Sequence, residues 1–171
     1  MHRLVPRWTD VAPRRAVLAT FVAAALAGCS GREPVPRFSY TLLDGVRASS
    51  DSLRGKVVLV NFWATSCALC VHEMPQIVAT HRKFQARSFE TLAVAMRYDA
   101  PASVSHFAQS RQLPFGVVID NTGAIAQAFP GVRVTPTTFV IEKRGAIVKR
   151  IVGEPDFREL HLLVDKLLAE A

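Results

Sequence analysis

Two cysteines, Cys67 and Cys70 in TSCALC, follow directly on the apolar run VVLVNFWA. A pair with this spacing can be half of a zinc site, a structural disulfide, or a couple that cycles between dithiol and disulfide. The cysteine count weighs on the choice. The chain has three cysteines in 171 residues, whereas a structural zinc site as a rule takes four Cys or His ligands. No second Cys pair exists, and His72, His81, His106 and His161 are scattered, so no metal is expected. A disulfide closing so short a loop removes little chain entropy. The redox couple is the leading reading.

Such chemistry needs a thiolate, and an ordinary cysteine, with pKa about 8.5, supplies little of it at neutral pH. The neighbouring pattern offers a remedy. Val57 to Trp63 is a β-branched run suited to a strand buried on both faces. From Ala68 to about Arg87 the apolar period turns helical, through Met74, Ile77, Val78 and His81. Cys67 therefore belongs at a helix N-terminus, whose partial positive charge and free N–H groups favour a thiolate. Cys70 follows about one turn later on the same side. Pro75 is expected to kink this helix near Val71.

The remaining elements must position that junction. SGREPVPR reads as a tether, because Pro34 and Pro36 disfavour helix. FSYTLLDGVRA alternates about Asp44-Gly45 and signals a hairpin, and SSDSLRG is a polar connection with room for a helical turn. Phe89 to Met96 is a second buried strand, residues 100–112 a helix, residues 115–120 a short strand and residues 122–129 a short helix. TPTTFVIEKRGAIVKRIVG gives two antiparallel strands about Arg144-Gly145. The last segment is an amphipathic helix with the stripe Leu160, Leu163, Val164, Leu167 and Leu168; Asp156 is its N-cap, and Glu159 is placed for a capping box. The implied class is α/β, a mixed sheet flanked by helices on both faces, with an N-terminal β-hairpin and a central insertion. Cys67 falls at the carboxyl end of a central strand, where open α/β sheets place chemistry.

The first residues do not share in that core. Arg14 and Arg15 precede the apolar run AVLATFVAAALA, and LAGC follows at Leu26 to Cys29. A basic region, a short apolar segment and small residues before a cleavage point describe an export signal over 1–28, too short to span a bilayer comfortably. Residues 29–37 form the tether and residues 38–171 the folded domain. The formal charge is +7; removing 1–28 takes away four arginines and one aspartate and leaves +4. Lys and Arg are otherwise dispersed, with no basic stripe interleaved with aromatics, so nucleic acid is not an expected partner.

LAGC resembles the lipobox of bacterial lipoproteins, which implies lipid on the Cys29 sulfur. Acyl chains there would anchor the domain to a membrane, at about 0.8 kcal/mol per buried methylene. NFWATSCALCVHEMP, together with TPTTFVI and the order of elements, resembles the TlpA/ResA-like thiol-disulfide oxidoreductases of the thioredoxin fold, over roughly Phe38 to Ala171. The resemblance implies Cys67 as nucleophile, Cys70 as resolving thiol, Pro136 as the cis-proline facing them with Thr135 before it, and Glu73 as an acidic group that moves protons. Trp63 is expected to pack at the substrate-binding face, mainly as structure. Asn61 stands where thioredoxin itself has a buried aspartate, so a proton carrier must be Glu73 or water. The chain departs from its relatives at Ser66 and Leu69, where most have Trp and Pro. His72 reads as a surface residue.

The family implies a monomer on the periplasmic side of a bacterial membrane, inner or outer left open, acting without a cofactor. Its partners would be protein disulfides, for example in cytochrome c maturation, and a membrane electron donor of the CcdA/DsbD type. Reduction is favoured over the alternatives of a disulfide oxidase or isomerase, or a copper-handling assembly module.

Overall fold

The structure is a computed structural model that describes residues 32–170. The expected leader 1–28 and Cys29 lie outside the described residues. Among the described residues no helix is long and apolar enough to cross a membrane.

The chain runs β1 (Ser39–Thr41), β2 (Arg47–Ser49), a 3-10 turn at Ser50–Leu53, β3 (Val57–Trp63), α1 (Ala68–Phe84), β4 (Phe89–Ala95), α2 (Pro101–Ser110), β5 (Gly116–Ile119), α3 (Ala124–Ala128), β6 (Thr137–Ile141), β7 (Ile147–Val152) and α4 (Phe157–Ala169). Five strands form one mixed sheet in the order β5-β4-β3-β6-β7. β3 lies parallel to β4 and antiparallel to β6. With a neighbour on either side and both faces covered, β3 buries every residue from Val57 to Trp63, as a run apolar at all but Asn61 requires.

Alternate residues of β3 feed two cores. Val57, Leu59 and Trp63 pack with Cys70, Met74, Ile77 and Phe84 of α1, Val104 of α2, and Leu160, Val164 and Leu167 of α4. Val58, Val60 and Phe62 pack on the other face with Phe38, Tyr40, Leu53, Ile125 and Phe129. Helices thus cover both faces, but unevenly. Three lie on one face; on the other, the short α3 is completed by the N-terminal hairpin and the 3-10 turn.

The hairpin turns as its Asp44-Gly45 signal suggests: Gly45 N–H donates to Leu42 O at 2.9 Å, with Gly45 at φ 86°, a conformation costly for a residue with a Cβ. Its tip then reaches the sheet edge, where Leu43 N–H donates to Val117 O. Gly116 permits this approach, since a Cβ there would meet Leu42 at 2.9 Å. The central segment between β4 and β6 supplies α2, the edge strand β5 and α3.

Helix α1 continues through Pro75, at the cost of the N–H that would otherwise bond Val71 O. Asp156 caps α4, accepting from Arg158 N and Glu159 N. The capping box is only half made: the Glu159 carboxylate lies 3.8 Å from the Arg158 guanidinium instead of returning to the Asp156 N–H. An exposed carboxylate beside a flexible cation has little reason to prefer one neutral N–H.

The start of the described chain joins the sheet at one end. Ile147 N–H donates to Glu33 O and Val35 N–H to Gly145 O. Arg32 meets the buried Glu142 at 2.7 Å.

Candidate active site

β3 delivers the chain from the middle of the sheet, and a tight turn at its carboxyl end hands it to α1. Cys67 N–H donates to Ala64 O at 3.1 Å, closing that turn. Cys67 is the N-cap of α1, in extended conformation at φ −88° and ψ 103°. The cap position normally takes an oxygen that accepts an orphan N–H; here the acceptor is sulfur, with Cys70 N–H directed at Cys67 Sγ at 3.1 Å. Cys67 and Cys70 form a disulfide, their Cα atoms 5.2 Å apart.

The two sulfurs have different surroundings. Cys67 is half-buried, and Ser66, Ala68 and Leu69 around it are exposed. Cys70 is 0 % exposed, within the core formed with Met74 and Trp63. A dissolved partner can reach the first and not the second.

Glu73, one turn after Cys70, is also 0 % exposed. Asn61 Nδ2 of β3 donates to Glu73 Oε1 at 3.0 Å and to Thr138 Oγ1 of β6 at 2.9 Å. Glu73 Oε2 and Asn61 Oδ1 have no partner among the described residues. Burial pushes the Glu73 carboxyl up to about 7; the Asn61 bond works against this, and the nearby Glu154 adds to it. A buried carboxyl that changes protonation near neutrality is suited to moving a proton.

Thr135-Pro136 is a cis peptide bond. Because β6 runs antiparallel to β3, with Thr137 opposite Phe62, this loop opens at the same end of the sheet as Cys67. Pro136 is buried and Thr135 half-buried. Gly153 N–H holds Pro136 O at 2.9 Å, and the Thr135 hydroxyl lies 3.4 Å from that of Tyr98. Trp63 is wholly buried, its ring 5.1 Å from that of Phe107. It supports the site from beneath and cannot touch a docking chain as it stands. His72 is exposed.

The fold brings Cys67, Cys70, Glu73, Trp63, Thr135 and Pro136 to one end of the sheet, with Cys29 outside the described residues, and four further residues there were not expected. Thr138 shares the Asn61 amide, and Glu154 acts on Glu73 through space. Asp99 Oδ2 accepts from Thr65 N–H at 2.6 Å and Asp99 Oδ1 from the Thr65 hydroxyl at 2.5 Å. All four depend on strand neighbours or loops distant in sequence. The one available signal, an aspartate just ahead of Ala100-Pro101, points to helix capping instead.

Known proteins resemble this chain in sequence and fold. The Redoxin family pattern matches residues 31–162. The thiol-disulfide oxidoreductase ResA of Bacillus thuringiensis subsp. konkukian is 32 % identical over 137 residues, 80 % of this chain and 78 % of that protein. The solution structure of a putative thioredoxin from Neisseria meningitidis superposes with TM-score 0.76 at 39 % identity, over 81 % of this chain and 93 % of that one. A thiol:disulfide interchange protein of the thioredoxin family from Chlorobium tepidum gives TM-score 0.74 at 29 % identity, over 81 % and 97 %. With its Cys67–Cys70 disulfide at a strand–helix junction, the chain belongs to the Redoxin family and, within it, to the ResA-like thiol-disulfide oxidoreductases.

Proposed function

We propose that the protein reduces protein disulfides outside the cytoplasm, held at a membrane by lipid on Cys29. The observation that carries the catalytic part is the contrast between an accessible Cys67 at the tip of α1 and a buried Cys70 one turn below it.

In the reduced protein, the Cys67 thiolate is favoured by the Cys70 N–H and the helix terminus. It attacks one sulfur of a client disulfide. The client S–S bond breaks, a Cys67–client bond forms, and the other client sulfur leaves as a thiolate. Cys70 then loses its proton, with Glu73 as the nearby buried acceptor. The Cys70 thiolate attacks the Cys67 sulfur, the mixed disulfide breaks, and the second client thiolate leaves. Two electrons have passed to the client, and Cys67–Cys70 is oxidised. A membrane electron donor of the CcdA/DsbD type restores the dithiol.

The Thr135-Pro136 loop is the docking edge for the client segment that bears the disulfide, and cysteines awaiting haem in cytochrome c maturation are the client class we favour. The periplasmic side of a bacterial membrane is the compartment consistent with a lipobox and a working disulfide. The same dithiol would serve an oxidase or isomerase at a higher potential, since direction follows potential and partner.

Trapping tests the roles. In the full chain, Cys70→Ser accumulates a mixed disulfide through Cys67, and Cys67→Ser does not; equal trapping by both variants refutes the assignment. Cys29→Ser releases the protein from the membrane fraction, and retention of that variant refutes the anchor. A reduction potential near about −270 mV supports reduction as the direction, and one near about −120 mV oxidation.

A further inference from the structure

The loop that follows β4 reaches back to the reactive turn. Its backbone is fixed first: Met96 N–H donates to Trp63 O and Asp99 N–H to Met96 O, each at 2.9 Å. Asp99 is then 7 % exposed and appears in no ion pair among the described residues. Both of its side-chain oxygens are used on one residue, Thr65, through the backbone N–H and the hydroxyl. A buried carboxylate needs such donors to offset its lost hydration.

Helix capping does not account for Asp99. The N-cap of α2 is Ala100, which makes no side-chain cap bond, and Pro101 opens the helix without an N–H to satisfy. The Asp99 side-chain bonds go to Thr65. Thr65 lies inside the Ala64–Cys67 turn and two residues before the reactive sulfur.

We propose that Asp99 is a positioning residue for Cys67: by pinning both donors of Thr65 it fixes the Ala64–Cys67 turn and holds the sulfur at the tip of α1, against the Cys70 N–H. Without the clamp the turn samples other conformations, the sulfur leaves that N–H for part of the time, and its thiol becomes less acidic. The proposal rests on Cys67 as the nucleophile. The two fail separately, because Cys70→Ser trapping tests the nucleophile, while the acidity of Cys67 reports the clamp.

The test measures the rate of Cys67 alkylation against pH in the reduced full-length protein, together with kcat/KM for reduction of a model protein disulfide. Asp99→Ala and Thr65→Val are expected to slow alkylation at pH 7 about three- to tenfold, through a higher thiol pKa, and to lower kcat/KM in parallel. Thr65→Ser keeps the hydroxyl and should restore the parent profile. Asp99→Asn keeps the shape, with its carbonyl accepting from Thr65 N–H and its amide donating to Thr65 Oγ1, and should alkylate at least as fast as the parent. A parent-like profile in folded Asp99→Ala overturns the proposal. So does Asp99→Asn as slow as Asp99→Ala, since it keeps both bonds to Thr65 and, having lost a negative charge, would by electrostatics alone alkylate faster. Should Asp99→Ala fail to fold, the Thr65→Val and Thr65→Ser pair decides: equal profiles overturn the clamp, and a slow valine variant beside a parent-like serine variant supports it.

Discussion

Asn61 on β3 donates a hydrogen bond to Glu73 on α1 at 3.0 Å, both side chains fully buried. The contact joins the central strand to the helix that carries the cysteines. It also gives Glu73 a partner for one oxygen only, which leaves its protonation sensitive to everything nearby.

Glu73 makes stability depend on pH. Its folded pKa, about 7, lies above the ordinary 4.5, so the folded state holds the proton more tightly than the unfolded one. Its favourable contribution is complete below about pH 4.5 and is lost as pH rises through about 7. Urea unfolding of the oxidised protein at pH 4.5, 6 and 7.5 should show the parent losing stability relative to Glu73→Gln, with a limiting slope of about 1.4 kcal/mol per pH unit. A constant difference between the two proteins would mean that Glu73 does not titrate in this range. The pH profile of thiol exchange should shift in the same variant.

Two substitutions should move the Glu73 carboxyl in opposite directions. Asn61→Ala removes the hydrogen bond that favours its charged form, so its pKa rises further. Glu154→Gln removes a negative neighbour, so it falls. Carboxyl NMR titration of each variant checks both signs.

Asp156→Ala should cost about 1 kcal/mol, because two N–H groups of the first turn of α4 lose their acceptor. Thermal or urea unfolding measures it, and Asp156→Asn should recover most of the loss.

Phe62→Ala should cost about 3–5 kcal/mol. The ring is wholly buried between Phe129 and Phe139, with centroids at 5.2 and 5.9 Å, and strands on both sides of β3 leave the cavity little freedom to collapse. Denaturant unfolding tests this, with an unchanged slope expected if the denatured state is unaffected.

The strands and helices could be read because their apolar periods are local. Val57 to Trp63 is an unbroken apolar run but for Asn61, and α4 carries its stripe at helical spacing. Cys67 and Cys70 were legible for the same reason: their chemistry depends on spacing and on the strand-to-helix change beside them. Aspartates were harder. Asp156 and Asp99 both stand just ahead of a helix, yet Asp156 caps α4 while Asp99 turns to Thr65, thirty-four residues back. Asp120 does reach helical N–H groups, those of Ile125 and Ala126 in α3. Which use a carboxylate takes depends on the donors the sheet brings within reach, and those come from pairing that no local window contains.

The backbone pairing of Glu33 and Val35 with the β6–β7 turn fixes where the polypeptide enters the domain. That turn lies at the opposite pole of the sheet from Cys67, and seven residues of β3 span about 23 Å between the poles. A pull on residue 32 is therefore borne first by residues 32–35 and the rim of β7, a full strand length away from Cys67.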